Sequence, residues 1–350
     1  MMRSESARCR RRDLLAAGAT AAAGALLCRR VGIASRAAEP VWRARQFHNQ
    51  PVESHQHRFL VEMWDAVRAE TNGGLDVSVH AQNGGVPGSD PEALEMLRSG
   101  DLEFFTLMGG ILGKAVPVAE IQGIPFAFRD HAQVYGANDG ALGALIGEEC
   151  AAKGIHRFQH GLLENGFRQI CMIDKPIRTA DDLAGVRMRV PDGQMFRDLF
   201  EALDAQPVTV NIRELYDALK TRRVDGQENP LVVTEVNRLY EVSKYVSMTN
   251  HMWSGFNLLA NLRFWNGLPP DVQRVVERNV RRTVPEQRAY TIRTNQALET
   301  KLVTERGMVS NSPDIESFRR KLGSGFYRRW KAQFGPRAWA LLEASVGPLV

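Results

Sequence analysis

Two runs of alternating strand and helix patterning, meeting at Gly166, constrain the fold of this chain more than any other feature. In the first run Val41–Phe47 alternates as a strand, Ser54–Glu70 carries helical spacing, and Thr71-Asn72-Gly73-Gly74 turns the chain into the strand Leu75–His80. Asp90–Arg98 then reads as a helix stopped by Ser99-Gly100, and Leu102–Leu107 as a buried strand. The second run offers strands at Arg168–Ile173, Arg187–Val190, Pro207–Val210 and Val224–Gln227, with helices at Gln194–Leu203 and Arg213–Lys220 between them. Strands and helices in turn, joined by short Gly-rich links, predict parallel or mixed sheets flanked by helices. After the first 37 of the 350 residues about 313 remain, more than one hydrophobic core usually serves, so two α/β lobes are expected.

Those first 37 residues carry their own message. Arg11-Arg12-Asp13-Leu14-Leu15 precedes an Ala- and Gly-rich run from Leu14 to Cys28, which has the form of a twin-arginine export signal. The run is too short to span a bilayer comfortably, and the small residues around Ser35-Arg36-Ala37 suit a signal peptidase. Leu27 is too bulky for the small-residue site that lipidation of Cys28 would need. Eight arginines and two acids lie in this leader, which leaves 37 of the 45 Lys plus Arg against 38 of the 40 Asp plus Glu. The mature chain is therefore near neutral, and the basic excess gives no warrant for binding nucleic acid or a membrane surface. Only Cys150 and Cys171 remain beyond the leader, in no metal-ligand or CxxC spacing, so they read as structural thiols. A periplasmic protein with no membrane insertion of the mature chain is expected.

The chemistry sits between residues 165 and 230. Arg168 lies in Asn165-Gly166-Phe167-Arg168-Gln169, Arg189 in Gly185-Val186-Arg187-Met188-Arg189-Val190-Pro191, and Asn229 in Val224-Asp225-Gly226-Gln227-Glu228-Asn229-Pro230. A guanidinium is a planar fork that meets both oxygens of a carboxylate, so a site that grips an organic anion by its head group wants this residue type. In this order and spacing the three strings resemble the solute-binding subunits of TRAP transporters, the DctP family.

The resemblance covers nearly all of the mature chain and implies a two-lobed, periplasmic-binding-protein-like α/β fold. It implies lobe I from residues 38–165 with 250–285, lobe II from 166–249 with 286–350, a hinge of crossing strands within Tyr245–Asn261, and a long bracing helix. The helical stretch from Asp271, with Val272, Val275, Val276, Val280 and Val284 on one face, fits that brace, and Pro285 is expected to kink or interrupt it. By the same resemblance Arg189, directly before Val-Pro, is the carboxylate anchor, Arg168 supports the acid group, and Asn229 donates to it. Arg187 is left structural, Asp225 shapes a turn, and Glu228 supports the hinge or the arginines. Asn49 and Gln50 follow the first strand as polar ligand contacts. Met108 stands where some relatives that bind polyhydroxylated acids place a glutamate, and Asn211-Ile212-Arg213 replaces an aromatic position. With Trp253 and Phe256, these departures predict a more apolar pocket wall and a compact apolar or aromatic acid.

Enzymatic motifs are absent: no Gly-x-Ser-x-Gly elbow, no phosphate or dinucleotide glycine loop, and no His-Glu-x-x-His helix. His55 and His57 lack partners at metal spacing, so no cofactor or metal is expected. The expected function is capture of a small carboxylate and its delivery to a TRAP membrane permease. A ligand sensor for a signalling system, and a secreted enzyme on the same scaffold, are the alternatives.

Overall fold

The computed structural model describes residues 42–349; the leader and its cleavage region lie outside them. The first lobe is built on β1 (Trp42–His48), β2 (Leu75–His80), β3 (Phe104–Met108) and β4 (Ile155–Phe167). The second uses β5 (Gln169–Met172), β6 (Arg187–Val190), β7 (Gln206–Thr209), β8 (Gly226–Asn229) and β9 (Tyr245–Ser247). The chain then returns to the first lobe as β10 (Trp253–Asn261) and adds β11 (Val309–Asn311) to the second. The resulting sheets are mixed, in the orders β2-β1-β3-β10-β4 and β11-β9-β5-β8-β6-β7. In the first, β1 runs parallel to β2 and β3 while β10 is antiparallel to β3 and β4. In the second, β6 runs parallel to β7 and β8, and β5 antiparallel to β8 and β9.

The lobes are joined where β4 runs into β5 and β9 into β10, and these adjacent crossings form the hinge. The Arg168 amide donates to the Met252 carbonyl at 2.8 Å, tying one crossing to the other. Gly166 sits in the first crossing at φ +136°, where an added Cβ would lie 2.6 Å from Asn295 Nδ2 and 3.0 Å from Pro230 Cβ. Both the backbone conformation and the close approach need glycine there.

A helix from Pro270 to Thr304 braces both lobes. Its buried stripe of Val272, Val276, Val280 and Val284 recurs every fourth residue, the spacing of one helical face. Toward the first lobe Gln287 exchanges two hydrogen bonds with the Glu164 backbone, each 2.8 Å. Toward the second, Asn295 accepts from the Val232 amide at 3.0 Å and Lys301 pairs with Glu235 at 2.8 Å. Of the two outcomes expected at Pro285, a kink or an interruption, the interruption does not occur: the helix continues through it. Proline removes one N–H donor, and packing on both lobes holds the segment helical regardless. The final helical stretch, Ile315–Val346, is broken by non-helical dihedrals at Gly323 and Gly335. It too touches both lobes: Tyr327 donates to the Pro125 carbonyl at 3.2 Å, and Lys321 pairs with Asp181 and Asp204 at 2.9 Å.

Cys150 and Cys171 are buried and unpaired, and burial pushes both thiols up to about 12. That is the behaviour of inert structural cysteines. Among the described residues no helix is long and apolar enough to cross a membrane, and no His, Cys, Asp and Glu side chains group to hold a metal.

Candidate functional site: a buried guanidinium in the cleft between lobes

Arg168 leaves the end of β4 and buries its whole side chain in the hinge. Its Nε and Nη2 engage both Glu228 carboxylate oxygens, with Nη2 2.7 Å from Oε1. Nη2 also reaches the Glu228 carbonyl at 2.7 Å and Asn229 Oδ1 at 3.2 Å, and Nη1 donates to the Ser254 hydroxyl at 3.2 Å. The Phe196 ring covers the guanidinium at 5.0 Å. Burial alone would raise the Glu228 carboxyl, but Arg168 and His251 outweigh it and hold it below its usual range. A buried ion pair of this kind fixes geometry more than it stabilises.

Arg189 is in a different situation. It lies near the carboxyl end of β6, the end at which open α/β sheets place ligands, and only 2% of it is exposed. Its Nε donates to the Val210 carbonyl at 2.8 Å. Among the described residues no carboxylate pairs with it, and burial pushes it down to about 10 despite the pull of Glu228 and Asp90. The side chain lines a cavity of 280 Å³ between the lobes, with Asp90 and Ile111 on one side and Thr209, Asn211 and Ile212 on the other. Arg187, two residues earlier on β6, is 44% exposed and pairs with Asp225 through 3.0 and 2.5 Å contacts. The same strand thus carries one solvated, paired arginine and one buried, unpaired arginine.

The lobes meet on either side of this cavity. Arg213 donates to the Val86 carbonyl at 2.6 Å, and Lys114 pairs with Asp192 at 2.6 Å. Glu120 of the first lobe accepts from the Met195 amide at 2.7 Å, in the first turn of the Gln194–Ala202 helix. Burial pushes the Glu120 carboxyl up to about 7 although that amide favours its ionised form. Gly110 and Gly193 allow a close approach, since a Cβ on Gly193 would sit 2.5 Å from the Gly110 carbonyl.

The residues singled out from sequence therefore separate into groups. Arg189 and Ile212 line the main cavity. Arg168 and Asn229 belong to the hinge cluster, where Asn229 Nδ2 is turned to Gln227 Oε1 at 2.5 Å. Met108 and Trp253 line a narrow hinge-side cavity of 10 Å³ with Glu120, Phe196 and Ser254, room for about one water. Trp253 Nε1 donates to Glu164 at 2.9 Å. Asn49 and Gln50 act one step back: Asn49 Nδ2 donates to Asp90 Oδ2 at 2.9 Å, and Gln50 Nε2 to Asn49 Oδ1 at 2.8 Å. Of the side chains expected to form an apolar wall, Ile212 borders the Arg189 cavity with Ile111 and Val210, while Met108 and Trp253 lie on the hinge side; polar Asp90, Thr209 and Asn211 share the lining. Sequence reasoning missed Asp90, Glu120 and Ser254. Asp90 opens a helix, where an acid is ordinary, and only the fold brings it opposite Arg189.

Two lobes on crossing strands, closing over a buried guanidinium, define a ligand-enclosing binding protein. The sequence profile of the family DctP, described as "Bacterial extracellular solute-binding protein, family 7", matches residues 47–331, and the chain belongs to that family. A solute-binding protein of Chromohalobacter salexigens is 26% identical over 292 residues, covering 83% of this chain and 85% of its own length. The C4-dicarboxylate-binding periplasmic protein DctP of Rhodobacter capsulatus is 31% identical over 216 residues, 59% of this chain and 61% of the other. Among solved structures, a TRAP periplasmic solute-binding protein from a Sulfitobacter species, with β-D-galacturonate bound, superposes with a TM-score of 0.81 at 26% identity. That match covers 87% of this chain and 99% of the other. One from a Polaromonas species, bound to D-erythronate, gives 0.80 at 27% identity, covering 86% and 98%. The chain is thus a solute-binding protein rather than an enzyme.

Proposed function

We propose that this protein captures a small organic acid in the cleft between its lobes, in the periplasm, and hands it to a TRAP-type membrane permease. The observation that carries the reading is Arg189, a buried guanidinium that pairs with no carboxylate among the described residues. A buried cation without a partner is costly, and an arginine kept in that state at a cleft is complementary to an anion from outside. The names of relatives that bind C4-dicarboxylates, galacturonate and erythronate support the same class of ligand. Arg189 grips the carboxylate, while Arg168, locked to Glu228 and Asn229, holds the hinge beside it. Contacts from both lobes then favour the closed state, because a ligand shifts a hinge only through its different affinity for the two ends. The twin-arginine leader supports export in the folded state to the compartment where such a permease would meet it. Melting temperature is the test: small carboxylates should raise it as their concentration passes the dissociation constant, and the matching amides should not. Equal stabilisation by acid and amide would overturn the reading.

A further inference from the structure

A second buried guanidinium, away from the cleft, also forms no ion pair among the described residues. Arg157, on β4, is 5% exposed. Its Nε donates to Asn257 Oδ1 at 2.8 Å and its Nη1 to the Gly143 carbonyl at 3.1 Å, both neutral acceptors. Its Nη2 has no hydrogen-bond partner among the described residues. Asp139, the carboxylate that draws on it, is held by Arg288 through contacts of 2.6 and 2.8 Å. Burial pushes the Arg157 guanidinium down to about 10, which leaves it charged at neutral pH. A buried charge kept in that state is costly.

β4 is an edge strand of the first sheet, and the Pro270–Thr304 helix runs along it. From Leu162 onward the helix bonds to the strand directly, Arg288 Nε reaching the Leu162 carbonyl at 2.8 Å and Gln287 the Glu164 backbone. Before that point no described hydrogen bond joins them. A cavity of 130 Å³ lies there instead, lined by His156, Arg157 and His160 from the strand and by Glu277 and Arg281 from the helix. A single water needs about 10–15 Å³ of such space, so the cavity has room for a larger guest. His156 adds a second buried nitrogen, Nε2, with no partner. Its ring stacks on Trp265 at 4.6 Å, and burial lowers it to about 4, so at neutral pH it is an uncharged imidazole that donates from one nitrogen. Glu277 and Arg281 are exposed and form no ion pair among the described residues. The lining thus sets two guanidiniums against one carboxylate.

We propose that this cavity is a second anion site, independent of the cleft: a small inorganic anion, halide or oxyanion, is bound there by Arg157 and Arg281, with His156 donating from Nε2, and ties the edge strand β4 to the bracing helix. Such an anion offers acceptors only, which suits a lining whose unused buried nitrogens belong to an arginine and an imidazole. It supplies the counter-charge that Arg157 lacks, and it links strand and helix along the stretch where they share no hydrogen bond. Arg189 takes no part, so the site survives loss of the cleft guanidinium.

Titration calorimetry with chloride, sulfate or phosphate tests this on Arg189→Ala protein dialysed free of all three, which takes the cleft guanidinium out of play. Ionic strength is held constant with a bulky sulfonate salt. At least one of the three anions should give a saturating isotherm with one site per chain, and comparison of the arms tells halide from oxyanion. Adding Arg157→Met should abolish that isotherm, and adding Arg281→Gln, a change at an exposed position, should weaken it at least threefold. No saturating heat with any of the three anions overturns the proposal whether or not either variant folds, and means that water fills the cavity. Unchanged affinity in a folded Arg157→Met or Arg281→Gln protein overturns it as well, because the anion then sits elsewhere.

Discussion

Replacing Arg189 should weaken ligand binding without weakening the protein, an unusual combination for a side chain this deeply buried. The Nε bond to the Val210 carbonyl fixes the guanidinium whether or not a ligand is bound, leaving the terminal fork to grip an acid. Removing one partner of a desolvated, hydrogen-bonded charge pair typically costs about 2–5 kcal/mol. At about 1.4 kcal/mol per decade, Arg189→Ala should therefore weaken carboxylate binding by roughly thirty-fold to several thousand-fold. Arg189→Lys should recover only part of this, since one ammonium cannot both hold the Val210 carbonyl and span two carboxylate oxygens. The ligand-free Arg189→Ala protein should melt at or above the parent temperature, because the substitution removes a buried charge that forms no ion pair among the described residues. Arg187→Ala is the control: its pair with Asp225 is solvent-exposed, worth at most about 1 kcal/mol of stability, and its loss should leave affinity unchanged. Calorimetry on the three variants, with thermal melts of each ligand-free protein, checks all of this. Abolished binding in Arg187→Ala beside parent-like binding in a folded Arg189→Ala would refute the reasoning.

Arg168→Ala should behave in the opposite way, losing about 3–5 kcal/mol of unfolding free energy in urea because Glu228 is left charged and buried; a variant as stable as the parent would show that the hinge pair is not closed in solution. His156 supplies a pH test. It stacks on Trp265 at 4.6 Å, and burial lowers it to about 4. A histidine whose folded value lies below its unfolded 6.5 contributes fully above that pH, and its contribution is lost as the pH falls from about 6.5 toward 4. His156→Phe should therefore lose up to about 3 kcal/mol less than the parent across that window, measured as the pH dependence of urea midpoints; equal losses would mean the ring is already solvated.

How much of this was legible in the sequence follows from the range of the forces involved. Period-two and helical spacing placed β2 and β6 at their observed limits and the Asp90 and Gln194 helices to within a residue; the two helices each bury one apolar face. β4 was not anticipated. Its run through His156, Gln159, His160, Glu164 and Asn165 has no apolar alternation, and the partners that accommodate Gln159, Glu164 and Asn165, namely the Asp139 carbonyl, Tyr135 with Trp253, and Ser254, come from other parts of the chain. The final helix was also missed, being divided by Gly323 and Gly335. Motif spacing picked out both arginines, yet could not show that Arg168 is occupied by Glu228 while Arg189 is not. Nor could it show that Asp90, more than ninety residues upstream, faces Arg189 across the cleft.

The distance between the lobes, read by pulsed spin-label spectroscopy, tests the central claim most directly. Labels on cysteines introduced at exposed Glu62 and Lys220 would report it, since Cys150 and Cys171 are buried and should not react. A bound carboxylate should shift the parent's distance distribution to one short, narrow population. The matching amide should leave it broad, as should the acid added to Arg189→Ala at the same concentration. Closure by the amide, or closure of Arg189→Ala at the parent's affinity, would contradict an account in which Arg189 reads the acid group and its capture draws the lobes together.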